Sequence, residues 1–122
     1  MTRATSPRTS HQTGLDAERM CRWALRLKFY RILAERYKTP MGEIDIVAAR
    51  GKTVIAVEVK ARPTQEKAVA SFSAQQRARI ERALQDFVMR HPRYARADLR
   101  FDVMLATPKR WPRHITGAWR AE

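Results

Sequence analysis

The sequence predicts an α/β domain with element order α-β-β-β-α-β and a mixed central sheet flanked by helices. Three observations lead there. Residues 42–60 alternate as two strands around a tight turn, two helical patterns flank that hairpin, and a further alternating segment follows the second helix. A strand, a helix and a second strand of one sheet need a crossover, so the sheet should be mixed.

The first helix runs from Gly14 or Leu15 to about Lys28, with Met20, Trp23, Ala24 and Leu27 at i, i+3, i+4 and i+7 as its buried stripe. Asp16 and Glu18 fall in its first turn, where acids suit the helix dipole. Glu18 shares a neighbouring stripe with Cys21 and Leu25. Phe29 to Thr39 carries both helical propensity and strand alternation, and the following Pro40-Met41-Gly42 turn decides for a strand. The hairpin comes next: Ile44, Ile46 and Ala48 alternate with Glu43, Asp45 and Val47, then Ile55, Val57 and Val59 with Val54, Ala56, Glu58 and Lys60. Residues 61–72 have no period and are read as a loop. Ser73 opens the clearest helix, with Gln76 as its capping-box partner and Ile80, Leu84, Phe87 and Val88 as its buried stripe; Pro92 ends it. Leu99 to Leu105 alternates as a strand, and His114 to Trp119 as a short last one. Residues 1–13 are polar and basic and are read as a disordered tail, leaving 14–122 as a single domain.

The chain holds 25 Lys and Arg against 12 Asp and Glu, a net charge of +13 on 122 residues. A field of that size makes nucleic acid the expected partner. No apolar stretch approaches the ~20 residues that span a bilayer, and no secretory signal is visible, so a cytoplasmic protein without a membrane is expected. The lone Cys21 excludes an internal disulfide, fits a reducing compartment and is read as a buried, inert thiol. His11, His91 and His114 are too scattered for a Cys/His zinc site.

The hairpin carries the chemistry. With Gly51-Lys52 as a type II′ loop, Arg50 faces Thr53, Asp45 faces Glu58 and Glu43 faces Lys60. Opposed residues have Cβ atoms roughly 4.5–5.5 Å apart, so two carboxylates repel each other there unless a cation joins them. Asp45 and Glu58, with the Val59 carbonyl, are the oxygen donors expected to hold Mg²⁺ or Mn²⁺. Such a metal polarises a phosphodiester and activates water. Lys60 projects from the same face as Glu58 and would orient that water or stabilise transition-state charge.

Taken with GEIDIVAARG (42–51), VEVKAR (57–62), SAQQRARI (73–80, with Ser73 at its head) and RFDV (100–103), this Asp…Glu-x-Lys arrangement resembles the PD-(D/E)xK nuclease superfamily. That superfamily includes restriction endonucleases and Holliday-junction resolvases. Within it, the chain is most similar to the YraN-like proteins, uncharacterised protein family 0102, over about residues 14–119. The resemblance implies a restriction-endonuclease-like core. It implies Asp45 and Glu58 as metal ligands, Lys60 as the catalytic lysine, and Glu18 as a first-helix acid joining the metal site. It further implies a metal-dependent endonuclease acting on structured or branched DNA, with a homodimer as in resolvases. Arg62, Arg77, Arg79, Arg110 and Arg113 are the expected nucleic-acid contacts, with Trp111 either stacking on a base or plugging the sheet edge. Arg100 and Asp102 are read as a structural ion-pair network. Two other readings stand beside the nuclease: a nucleic-acid-binding module with this fold and little catalysis, and an interaction protein for an acidic partner.

Overall fold

The computed structural model describes residues 10–61, 67, 70, 72–107 and 110–120. Its elements follow the expected order: α1 (Ser10–Leu27), β1 (Arg31–Lys38), β2 (Glu43–Arg50), β3 (Thr53–Lys60), α2 (Ala74–Arg90), β4 (Asp98–Leu105) and β5 (Arg113–Trp119). One five-stranded sheet has the order β1-β2-β3-β4-β5. β3 and β4 are parallel, joined across α2, and every other pair is antiparallel. This mixed sheet between helices is consistent with a restriction-endonuclease-like core.

Two apolar layers hold the helices to the sheet. On one face Cys21, Ala24 and Leu25 of α1 pack on Ile46, Ala48, Ile55, Val57 and Met104. On the other, Ile80, Ala83, Leu84 and Phe87 of α2 pack on Val47, Val54, Ala56, Phe101 and Val103. The central strands are therefore apolar on both faces, as a covered sheet requires. The capping box at the start of α2 forms as expected: Gln76 N donates to Ser73 Oγ at 3.1 Å, and Ser73 N donates to Gln76 Oε1 at 2.9 Å.

Several expectations need correcting. α1 already begins at Ser10, inside the segment expected to be a tail, so Glu18 lies well beyond the first turn, and the helix dipole does not explain it. The stripe expected to be buried is turned outward: Met20, Trp23 and Leu27 are exposed, Trp23 by 53%, and only Ala24 of that set faces the sheet. The buried side is the neighbouring stripe, with Cys21, Leu25 and Glu18. Ile44 does not share a face with Ile46; it packs in the α2 layer. Within 61–72, the stretch read as a loop, Lys67 and Ala70 are helical.

Gly42 fixes how closely α2 approaches the sheet. A Cβ there would lie 3.1 Å from both the Cβ and the carbonyl oxygen of Arg79. That is tighter than ordinary contact, so a side chain there would push the helix off the turn before β2 by a few tenths of an ångström.

Beneath the C-terminal end of α1, Asp102 is fully buried, at 0% exposure. Arg100 grips both its oxygens, Nε to Oδ1 and Nη2 to Oδ2, each at 2.8 Å. His114 Nε2 lies 2.7 Å from Oδ2, and the Gly117 N–H donates to Oδ1 at 2.9 Å. Gly117 has a φ of +59°, and β5 shifts register against β4 around Asp102, so a bulge aims this N–H inward. With the proton on Nε2, His114 donates to Asp102 and accepts at Nδ1 from Lys28 Nζ, 3.2 Å away. Arg100 Nη2 also donates to the Tyr30 hydroxyl at 2.7 Å. Burial pushes the Asp102 carboxyl up, but the donors His114, Arg100 and Gly117 outweigh it and hold the group below the usual carboxylate range. The ion-pair reading of Arg100 and Asp102 agrees with this geometry.

Asp102→Ala strands a partly buried guanidinium and two further donors. It should lower the unfolding free energy in urea by about 3–5 kcal/mol. Arg90→Ala, which breaks the exposed i,i+4 pair with Asp86, should cost no more than about 0.5 kcal/mol in the same measurement.

Candidate active site

The hairpin turn sets the site. Gly51 has a φ of +60°, whereas Lys52 is not left-handed, the signature of a type II′ turn. Arg50 pairs with Thr53 as expected, and the β2–β3 ladder runs in register as far as Ile46 and Val57. Beyond that pair, side chains replace the backbone ladder. The Val59 N–H donates to Asp45 Oδ2 at 2.8 Å, and the Asp45 N–H donates to Glu58 Oε2 at 3.1 Å. Each carboxylate thus takes a backbone donor across the gap. β3 meanwhile stays paired with β4 through Lys60 and Leu105. β2 parts from β3 at its beginning, and the two acids bridge the opening.

The direct Glu43–Lys60 opposition does not form part of that ladder. Glu43 pairs instead with Lys38 on β1 and is exposed. It acts at a distance, raising the proton affinity of Asp45 and Glu58.

Burial and then the charge of Asp45 push the Glu58 carboxyl up to about 8, against the opposing effect of the Asp45 N–H and Lys60. Burial likewise raises Asp45, against the Val59 N–H and Lys60. Lys60 is therefore within electrostatic reach of both acids, and its ammonium lies 4.7 Å from the centre of the Phe72 ring. Cys21 is an inert thiol, as expected: burial first, then Asp45 and Glu18, push it up to about 12.

Glu18 reaches the site from α1. It is 9% exposed, and burial and then Asp45 push its carboxyl up while Arg36 opposes them. Arg36 Nε donates to Glu18 Oε1 at 3.1 Å, with Nη2 3.4 Å from Oε2. Arg36 itself was not singled out in the sequence. It lies opposite Asp45, between the pairs Glu35–Ile46 and Tyr37–Ile44, with a φ of +49°. A left-handed arginine inside a strand is strained, and such strain gathers at functional sites. Nothing in the alternation of β1 marks it, because the kink arises only when β1 pairs with β2.

The structure brings Asp45, Glu58 and Lys60 together and sets Glu18 beside Asp45, engaged by Arg36. Val59 enters through its N–H. Arg62 lies outside the described residues. Arg77 lines a cavity on the α2 side. Arg79, Arg110 and Arg113 are exposed, and Trp111 is 55% exposed, so it does not plug the sheet edge. Among the described residues no three His, Cys, Asp or Glu side chains converge on one point. The donor set is then two carboxylates, all oxygen. That suits Mg²⁺, which is held by one or two carboxylates while keeping several waters.

Residues 17–106 match the model of the Uncharacterised protein family UPF0102. The chain belongs to this family. It is 48% identical over 111 residues to a UPF0102 protein of Parvibaculum lavamentivorans, covering 91% of this chain and 84% of the relative. It is 45% identical over 116 residues to a UPF0102 protein of Chelativorans sp., covering 95% and 94%. A UPF0102 protein of Methylorubrum extorquens is 44% identical over 115 residues, covering 94% and 90%. Glu18, Asp45, Glu58 and Lys60 all fall within the UPF0102 span, whereas His114 and Gly117 lie past its end. Among the described residues no helix is long and apolar enough to cross a membrane.

The raised carboxyls make a signed prediction. A group that binds its proton more tightly folded than unfolded stabilises the protein at low pH, and that contribution is lost as pH rises through the folded value. Without divalent metal, the thermal midpoint of Glu58→Gln should therefore approach that of the parent only at about pH 4 and below, under the ordinary value of 4.5. By pH 8–9 it should lie above it, because only the parent carries the ionised Glu58 beside Asp45. Melting both proteins in a chelator across this range checks the sign.

Proposed function

We propose that this UPF0102 protein is a metal-dependent endonuclease that hydrolyses phosphodiester bonds in structured or branched DNA. One observation carries the reading. Asp45 and Glu58 are held together where two strands part, both with raised proton affinity, and Lys60 stands two residues along the same strand. Acids of raised proton affinity at a gap in a sheet suit reaction chemistry better than packing. The family resemblance and the charge of +13 point the same way.

In this reading Asp45 and Glu58 would hold Mg²⁺ or Mn²⁺, whose charge would favour their ionised forms. The metal supplies the charge that polarises the phosphodiester and lowers the pKa of a bound water. Lys60 places its ammonium against the developing negative charge on the phosphate oxygens. Glu18, held by Arg36 within electrostatic reach of Asp45, adds its charge beside the centre without being a third metal ligand. A single buried cysteine suits a reducing compartment, and we assign the activity to the cytoplasm.

The test is a panel of duplex, single-stranded, flap and four-way-junction DNA with Mg²⁺ or Mn²⁺. Cleavage is expected on at least one member. Asp45→Ala and Lys60→Ala should each slow it by roughly 10²–10³-fold or more while leaving the circular dichroism spectrum unchanged. Binding without metal-dependent cleavage anywhere in the panel would instead identify a binding module.

A further inference from the structure

The first three turns of α2 and the residue following β5 line a partly open cavity of about 280 Å³. Arg77, Arg82 and Arg120 line it, and the small Ala74 and Ala78 form part of its wall. Among the described residues its one acid, Glu81, accepts the Trp119 indole N–H at 3.1 Å and is outnumbered by the three arginines. Arg77 Nε is buried and has no hydrogen-bond partner among the described residues. A charged donor buried without an acceptor is costly, and such a group calls for an anion.

The aromatic residues beside the cavity say which anion. The Arg77 guanidinium lies 5.8 Å from the Trp119 ring centre. Trp119 is in turn packed against Phe72 at 5.2 Å and Phe101 at 5.3 Å, and is buried. Its indole is thus spent on the core and offers no face to a nucleobase. The site reads charge alone. Phe72 carries the Lys60 ammonium on its ring as well. The pair Phe72–Trp119 therefore stands between the candidate catalytic lysine and the arginine cavity.

We propose that this cavity is a subsite for a non-scissile phosphate of the nucleic-acid strand whose scissile phosphate sits at Asp45 and Glu58. The proposal rests on the nucleic-acid reading above and adds to it a second, sequence-independent grip. A planar guanidinium fork is the group best matched to phosphate oxygens. Two further guanidinium groups supply charge around it. The strand would run from the carboxylates past Lys60 and Phe72 to Arg77.

The full chain is titrated with a short fluorescent DNA duplex across a salt series in chelator, so that no cleavage intervenes. Arg77→Ala should weaken binding about tenfold and lower the slope of log affinity against log salt by about one. Arg77→Lys keeps the charge and loses the fork, and should bind almost as poorly as Arg77→Ala. Arg120→Ala, at an exposed position that cannot disturb the core, should weaken binding in the same direction. Arg93→Ala, on the turn after α2, should bind as the parent does. Parent-like affinity and salt slope in both Arg77→Ala and Arg120→Ala would overturn the subsite while leaving the nuclease reading intact. So would restoration to parental affinity by Arg77→Lys, which would reduce Arg77 to a diffuse charge. Failure of the parent to bind either this duplex or a fluorescent four-way junction under the same conditions would remove both. Displacement of the duplex by polyglutamate as effectively as by unlabelled DNA would give the cavity to an acidic protein and overturn the proposal.

Discussion

Keeping two carboxylates side by side and largely out of water is costly, and much of this small protein is arranged around doing so. Asp45 and Glu58 are tolerated because each replaces a missing ladder bond: one accepts from Val59, the other from the backbone of Asp45. The parting of β2 from β3 thus leaves no orphaned donor at those positions, and the acids gain partial compensation for burial. The opening forms on the β2 side because β3 remains tied to β4 as far as Lys60. On the far side of β2, the left-handed backbone of Arg36 falls opposite Asp45 and sends its guanidinium to Glu18 on α1. The kink, the helix acid and the strand opening meet at one level of the sheet.

The sheet also holds a buried acid of the opposite kind. Asp102 meets a bidentate arginine, a histidine and a backbone N–H, and its proton affinity falls. Asp45 and Glu58 meet one backbone donor each and a lysine at longer range, and theirs rises. Buried acids that stabilise a fold are surrounded until their charge is answered. Acids poised to receive a cation are left short of partners, and the shortfall is what a divalent ion can fill. The contrast distinguishes two kinds of buried acid within three neighbouring strands, β2 to β4.

How much of this could be read from residues alone follows the range of the interactions. The turn at Gly51-Lys52 and the capping box at Ser73 and Gln76 are local, and both were legible. So was the Asp45–Glu58 juxtaposition, because a two-residue loop dictates the register outward from Arg50 and Thr53. The orientation of α1 was misread. The helix has two apolar stripes, and the one with the larger side chains, Met20, Trp23 and Leu27, looked like the core. Close approach to the sheet selects the other, since Cys21 and Ala24 are small and Leu25 and Glu18 lie in line with them. The left-handed Arg36, the bulge at Gly117 and the partnership of His114 with Asp102 all depend on which strands become neighbours. No local pattern carries that information. The role of Phe72, at the end of a stretch without period, was hidden for the same reason.

The contact between Gly42 and Arg79 ties these parts together. Gly42 stands three residues before Asp45, and Arg79 two residues after Arg77, and at this point the helix lies directly against the turn. The spacing between the acids and the arginine cavity is therefore set by main chain against main chain, with no long side chain in between to take up slack. The protein carries a stiff caliper. A methyl group added at this glycine would move α2 against the sheet by a few tenths of an ångström, and the arginine cavity would move with it relative to the acids.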